Sequence, residues 1–354
     1  MKNNKKTYVW CCDFDNNRGE GILARSFVEY LSSYKKKIII KTFEKEYIFY
    51  ENKYKVNSKS LNEKKINLNL FEKYLYPIIG VFWLWKKYLE KKEVIYLNFN
   101  PLWNIFVFIL SPPRTTFGPI TGSIYNGKVK NPSHAIRKYF FPILYKIGLF
   151  FLFQRKKKIL FSTSLLKKII PRKKIHRCIF DFQIFYYKQI RQNKKIKNKK
   201  NIDLIFYNRN HISKKNNVVI NIIKKISKKY NLLIVGDYLN EKNVKNLNII
   251  KKNKLNKNLQ KAKFAFAAPE NVLSMFTLEC LSLQTKIFYD KKQNMINKFF
   301  VSKNLIPFDS NNFDKALKVV NNNLSQNFKL NKIYLKKKFW TQKIKDFNEF
   351  FLNC

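Results

Sequence analysis

Short apolar runs alternate with longer stretches of helical period along most of this 354-residue chain. In the first half, residues 7–12, 37–43, 94–97, 115–118 and 159–162 read as strands, each a compact apolar run. Between them, 21–33, 71–91, 101–110, 132–153 and 164–169 carry the spacing of helices. The second half repeats the alternation, with strands expected at 202–207, 232–235, 247–250, 264–267 and 287–289. Helices are expected there at 217–230, 255–262, 272–283 and 313–323. Such alternation implies parallel sheets covered on both faces, an α/β fold. The stretch 186–201 is rich in Lys, Asn and Gln, lacks an apolar period and reads as a linker. It separates an N-terminal Rossmann-like domain (1–186) from a C-terminal one (202–330), which would face each other across a cleft. An aromatic-rich amphipathic helix within 331–354 is expected to pack back onto the first domain.

The segment 264–287 carries the most chemistry. An apolar strand meets Pro269, and a helix follows that Asn271 opens and that ends near Gln284. Asn is a strong N-cap, and the proline stops the helix from beginning earlier. Its first N–H groups, near 272–275, would lie at the carboxyl end of a strand, where anions bind in open α/β sheets. Glu279 would stand about 12 Å further along the helix, with Glu270 on the other side of a bound phosphate. One carboxylate on each side of a diphosphate suits a nucleotide-sugar, with sugar hydroxyls at one end and ribose hydroxyls at the other.

The net charge of +50 changes this picture little. Of 72 basic residues only nine are Arg, and Lys is accompanied by abundant Asn, Ile, Phe and Tyr, which share A/T-rich codons. Readers of bases and phosphates are more often Arg. A basic nucleic-acid-binding protein is therefore an alternative without an Arg-rich recognition module, and no specific nucleic acid is expected. A surface this basic still attracts nucleotides, acidic glycans and anionic membranes.

Five cysteines, Cys11, Cys12, Cys178, Cys280 and Cys354, form no metal-binding spacing and suit a reducing, cytoplasmic compartment. The basic N-terminus runs directly into a strand, so no signal peptide is expected. Residues 101–110 are too few to span a bilayer, and 140–153 are interrupted by Pro142, Lys146 and Gly148. The second stretch has two readings: a buried core helix, or a helix lying on the inner face of an anionic membrane. His134, His176 and His211 do not cluster, and His211 alone falls near the expected donor site.

Three patches resemble the glycosyltransferases built from two Rossmann-like domains, the GT-B fold. That family carries a pattern E-x7-E followed by an Ala-rich helix and G-x-P-V-I. Leu278-Glu279-Cys280-Leu281-Ser282-Leu283-Gln284-Thr285-Lys286-Ile287 is similar to its second half, with Glu279 as the second Glu. Glu270 precedes it by nine positions and Asn271 by eight, so either fills the first acidic position. The family also opens its C-terminal domain with a strand and G-R-L-x-x-x-K-G. Here Arg209 and Lys214 follow a strand five positions apart, as in that pattern. The resemblance implies that these two hold the donor diphosphate and that Glu279 holds the ribose. Ser274 lies nearby, and Gly236 and Asp237 join the donor set. The third patch, 12–21, ends the first strand and implies an acceptor-side loop. Asp13, Asp15 or Glu20 would act there as general base, with Gly19 and Gly21 supplying the turn. Gly118, Thr121 and Gly122 would line the same cleft.

The resemblance implies a hexosyltransferase that needs neither metal nor cofactor and uses a nucleotide-sugar as substrate. Its acceptor would be a glycan or lipid-linked molecule, as in cell-surface polysaccharide or lipopolysaccharide synthesis. A competing reading is a haloacid-dehalogenase-like, Mg²⁺-dependent phosphatase. In it Asp13-x-Asp15 would supply the nucleophile, and Phe161-Ser162-Thr163 and Gly236-Asp237 the later motifs.

Overall fold

A computed structural model describes residues 6–15, 19–43, 45–51, 53–56, 70–97, 101–122, 129, 132–192, 200–210, 216–269, 271–293, 299–301, 304–329 and 334–354. The chain divides into two compact units. One is Met1–Phe182 with Lys345–Cys354, and the other is Gln183–Ile344.

The first unit is built on a six-stranded sheet of order β4-β3-β2-β1-β5-β6. Its strands are β1 (Thr7–Cys11), β2 (Lys37–Lys41), β3 (Glu46–Tyr50), β4 (Lys53–Val56), β5 (Glu93–Leu97) and β6 (Thr116–Phe117). β1, β2, β5 and β6 run parallel, and their apolar runs suit strands covered on both faces. β3 and β4 are antiparallel additions at one edge, which strand-helix alternation does not predict. The turn from β2 into β3 is closed by Thr42, whose N–H and hydroxyl both donate to the Lys45 carbonyl at 2.8 Å. A separate two-stranded pair joins β7 (Ile159–Leu160) to β8 (Cys178–Ile179).

The helices of this unit are α1 (Gly19–Leu31), α2 (Leu70–Leu89), α3 (Ile105–Leu110), α4 (Pro132–Ala135) and α5 (Phe141–Gln154). A π-helical turn, Ile136–Phe140, joins the last two, so the single helix predicted over 132–153 changes its winding midway. The predicted helix over 101–110 is confined to its last six residues. The chain's last residues belong to this unit through aromatic packing. Phe351 lies 4.8 Å from Phe27, Phe347 lies 5.4 Å from Phe182, and the Tyr34 hydroxyl donates to Asn348 at 2.7 Å.

The second unit carries an all-parallel sheet of order β11-β10-β9-β12-β13-β15. These are β9 (Ile202–Asn208), β10 (Leu232–Gly236), β11 (Val244–Asn246), β12 (Ala262–Phe266), β13 (Lys286–Asp290) and β15 (Leu305–Phe308). A short antiparallel pair, β14 (Phe300–Val301) with β16 (Tyr334–Leu335), stands apart from it. The strand expected at 247–250 forms earlier, as β11. Leu247 and Asn248 only prolong the pairing, through Leu247 N–H to Ile234 and Gly236 N–H to Asn248, both 2.9 Å.

The remaining helices are α6 (Gln183–Gln192), α7 (Asn217–Ile226), α8 (Lys252–Lys261), α9 (Met275–Ser282), α10 (Phe313–Ser325) and α11 (Lys337–Leu352), the last ending in the first unit. α7 starts where the Asn216 side chain accepts the Val219 N–H at 3.2 Å, and α10 where Asn312 accepts that of Lys315 at 3.0 Å. α6 occupies the first part of the expected linker. Buried Ile184, Tyr186 and Tyr187 give it an apolar face that the polar composition around it hides.

Candidate functional site

The order of the second sheet locates the site. From β9 the chain passes through α7 to β10 on one side, and it later returns to β12 on the other side. Neighbouring strands β9 and β12 thus lead away in opposite directions, and a crevice at their carboxyl ends is where open α/β sheets bind ligands. Arg209 follows β9 directly, and 267–274 run from β12 to the start of α9.

Aromatic stacking ties these two segments together. The Arg209 guanidinium sits 5.1 Å from the centre of the Tyr207 ring, a cation–π contact. That ring lies 5.4 Å from Phe276, in the first turn of α9. A permanently charged fork is thereby set beside the helix start. Asn208, between Tyr207 and Arg209, is 1% exposed. Its Nδ2 donates to the Asp237 carbonyl at 3.0 Å, while its buried Oδ1 has no hydrogen-bond partner among the described residues. A buried carbonyl oxygen without a donor is uncommon and invites one from a ligand.

Gly236 and Asp237 brace this end of the sheet. Gly236 has φ +99, and a Cβ there would meet the Asn208 carbonyl oxygen at 2.4 Å, so only glycine allows β10 to approach this closely. The Asp237 carboxylate accepts the Asn210 N–H at 2.5 Å. Of these two residues expected in the donor set, Asp237 holds the Arg209 loop, through its carboxylate and through its N–H, which donates to the Asn208 carbonyl at 3.0 Å.

The helix after β12 begins three residues later than predicted. Ser274 is its N-cap, with Oγ accepting the Thr277 N–H at 3.2 Å. Asn271 instead accepts the Leu273 N–H at 3.0 Å and closes a turn in which Ser274 N–H donates to the Asn271 carbonyl at 2.9 Å. Two residues competent to cap lie three apart, and the tighter turn claims the first. The first-turn amides are therefore those of Met275 and Phe276. Gln293 pins the preceding loop by donating from Nε2 to the carbonyls of Ala268, at 3.2 Å, and Pro269.

Glu279 has partners other than the ribose hydroxyls expected of it. It is 1% exposed, accepts a 2.9 Å hydrogen bond from the Tyr186 hydroxyl of α6 and pairs with Lys252 at the start of α8. The later helix start also puts it about 7.5 Å from the cap, nearer than the distance read from sequence. The sequence around Lys252 is polar and Lys-rich and carries no signal for a buried contact, and the aromatic run around Tyr186 gives no hint of a carboxylate partner. Glu270, His211 and Lys214 lie outside the described residues.

In the first unit, Asp13 follows β1, whose neighbours β2 and β5 again lead in opposite directions. The Asp13 carboxylate accepts the Asp15 N–H at 2.9 Å, and Asp15 is exposed. Glu20 lies in the first turn of α1, half-buried, after Gly19. Gly21 is required by close packing, since a Cβ there would fall 1.9 Å from the Asp15 carbonyl oxygen. Of the residues expected to line the acceptor side, Gly118 is buried and donates its N–H to Tyr96 at 2.8 Å. Thr121 and Gly122 are half-buried, and the Thr121 carbonyl accepts the Leu102 N–H at 2.9 Å. Gly118 and Thr121 thereby stitch the sheet edge.

The phosphatase alternative fails on placement. Asp13 and Gly236-Asp237 belong to different sheets, so they cannot be successive motifs of one. His134 is buried and His176 exposed. Among the described residues, no group of three His, Cys, Asp or Glu gathers, and no helix is long and apolar enough to cross a membrane.

No family model matches the chain, and no curated protein matches it in sequence. Its fold is similar to that of sucrose-phosphate synthase from Thermosynechococcus elongatus, with a TM-score of 0.54 at 11% identity over 91% of this chain and 90% of that one. It is also similar to the UDP-GlcNAc 2-epimerase of Methanocaldococcus jannaschii, solved with UDP-GlcNAc and UDP. There the TM-score is 0.51 at 11% identity, covering 98% of this chain and 99% of that one. The fold is thus GT-B, two Rossmann-like sheets in tandem.

Proposed function

We propose that the protein is a glycosyltransferase that moves a sugar from a nucleotide-sugar donor to a glycan or lipid-linked acceptor in cell-surface polysaccharide synthesis. The observation that supports it most is Arg209, stacked on Tyr207, whose ring in turn packs on Phe276 at the capped start of α9. A fork-shaped cation and two backbone amides suit the negative charge that a departing nucleoside diphosphate gains. The donor sits with its pyrophosphate between Arg209 and the amides of Met275 and Phe276, and a ligand hydroxyl supplies the hydrogen bond that Asn208 Oδ1 lacks.

Fold alone does not choose between transfer and other nucleotide-sugar chemistry, since one scaffold hosts several reactions. A carboxylate able to take the proton of an acceptor hydroxyl favours transfer, and exposed Asp15 is assigned that role. Charge neutralisation by Arg209 and amides makes the reaction independent of added metal, so activity should survive a chelator.

Thermal-shift measurement against a panel of nucleoside diphosphates and nucleotide-sugars tests the donor site. A true donor at a hundred times its Kd should stabilise the fold by about 2.7 kcal/mol. Arg209→Ala should lose most of that shift. If no nucleotide moves the melting point, or if the variant responds as the wild type does, the donor site is misplaced.

A further inference from the structure

We propose that α3 and the α4–α5 helix form a docking face for an anionic lipid bilayer. Read from sequence, 140–153 is either a core helix or a surface helix, and the structure divides it lengthwise. Tyr145, Leu149 and Leu152 are buried in the core of the first unit. Ile136, Phe140, Ile143, Ile147 and Phe150, spaced four, three, four and three apart, form a second stripe that faces water. The stripe is about 21 Å long, at ~1.5 Å per residue. Phe150 is 59% exposed and Tyr139, beside the stripe, 62%.

The neighbouring helix extends this surface. α3 packs against α5 where Leu102 and Phe108 approach Gly148, and it turns Phe106 to solvent at 60% exposure. Single exposed apolar residues are ordinary on a protein surface, whereas adjacent helices that both present large ones mark an interaction site.

Charge selects the occupant. From 94 to 180 the chain has no Asp or Glu and sixteen Lys or Arg. Codon bias does not account for this, because Asp and Glu also have A/T-rich codons and 22 occur elsewhere in the chain. Lys138 and Lys146 are exposed beside the stripe, with Lys138 Nζ 5.6 Å from the Tyr139 ring. Aliphatic and aromatic side chains flanked by lysines match the boundary between acyl chains and negative headgroups. A nucleic acid would supply the negative charge without a place for Ile143 or Phe150. The inference does not depend on the transfer reaction.

Vesicle flotation of the full chain tests it, with phosphatidylcholine alone and mixed with phosphatidylglycerol. The wild type should float with the mixed vesicles only, less so at high salt. Ile143→Asp with Phe150→Asp should weaken that binding about tenfold or more with melting unchanged, since both side chains already face water. Lys138→Glu with Lys146→Glu should weaken it too. The proposal is overturned if phosphatidylglycerol makes no difference or if the Asp variant floats like the wild type. It is equally overturned if light scattering finds a wild-type dimer that the Asp variant breaks while flotation is unaltered. Loss of duplex-DNA binding in the Asp variant, with no vesicle binding by either protein, would reassign the face to nucleic acid.

Discussion

Tyr186 and Glu279, 93 positions apart in sequence, meet in a 2.9 Å hydrogen bond from phenol to carboxylate inside the second unit. Lys252 completes the group, pairing with the carboxylate and lying 5.5 Å from the Tyr186 ring centre. Three helices, α6, α8 and α9, are joined at one buried charge.

The first prediction follows from that burial. Tyr186→Phe should cost about 1.5–3 kcal/mol of stability, as expected for a hydrogen bond to a charged group. Glu279→Gln should cost a similar amount, and the double variant less than the sum, because both changes break one network. Denaturant unfolding of the three variants measures this. A Glu279→Gln protein of wild-type stability with a raised KM for donor would return Glu279 to the ribose role.

The second prediction concerns Arg209. Its removal takes away one preorganised donor to the leaving diphosphate, so Arg209→Ala should lower kcat by ~10²-fold or more with melting unchanged. Arg209→Lys should recover only part of the loss, because a point charge lacks the planar fork and stacks less well on Tyr207. Steady-state transfer assays read both, and unaltered kcat in the Ala variant would remove Arg209 from the mechanism.

The fold was legible because its strands are short apolar runs separated by helices of clear period; β9, β10, β12 and β13 all fall where that pattern predicts. That Arg209 follows a strand was legible for the same reason, since a strand end is easy to locate. What escaped depends on contacts across distance. Glu279 looks identical in sequence whether its carboxylate meets ribose or Tyr186, and only the packing of α6 decides. The start of α9 escaped because Asn271 and Ser274 are equally good caps, and local turn geometry chose between them. The edge strands β3 and β4 escaped because the segment that turns the chain from β2 into β3, residues 42–45, contains no Gly or Pro.

A third prediction tests the brace beneath the donor loop. Gly236 occupies φ +99 with the Asn208 carbonyl where a Cβ would go. Gly236→Ala should destabilise the protein by about 1–3 kcal/mol through backbone strain. It should also weaken nucleotide binding, since relief of the contact moves Asn208 and with it Arg209. Melting and titration with nucleoside diphosphate read the two effects, and a variant of unchanged stability would mean that the close approach at 2.4 Å is relieved without cost.

The last prediction uses pH. Lys200 donates to the Leu283 carbonyl at 3.2 Å, and burial lowers its pKa from the ordinary 10.5 to about 8. Between those values the unfolded chain binds more protons at this site than the folded one does. Stability from Lys200 therefore rises with pH from about 8 to 10.5 and is lowest where the buried amine must stay charged. The thiol of Cys280 beside it opposes this at high pH, because burial raises its pKa and its folded form holds its proton longer. Comparing wild type with Lys200→Met removes the burial part of that second contribution and leaves only the lowering of the thiol pKa by the Lys200 charge. The Met variant should be the more stable at pH 7, and its advantage should shrink as pH climbs through 8 towards 10.5. Melting curves of the two proteins across that range that run parallel would show that Lys200 titrates as an ordinary surface lysine.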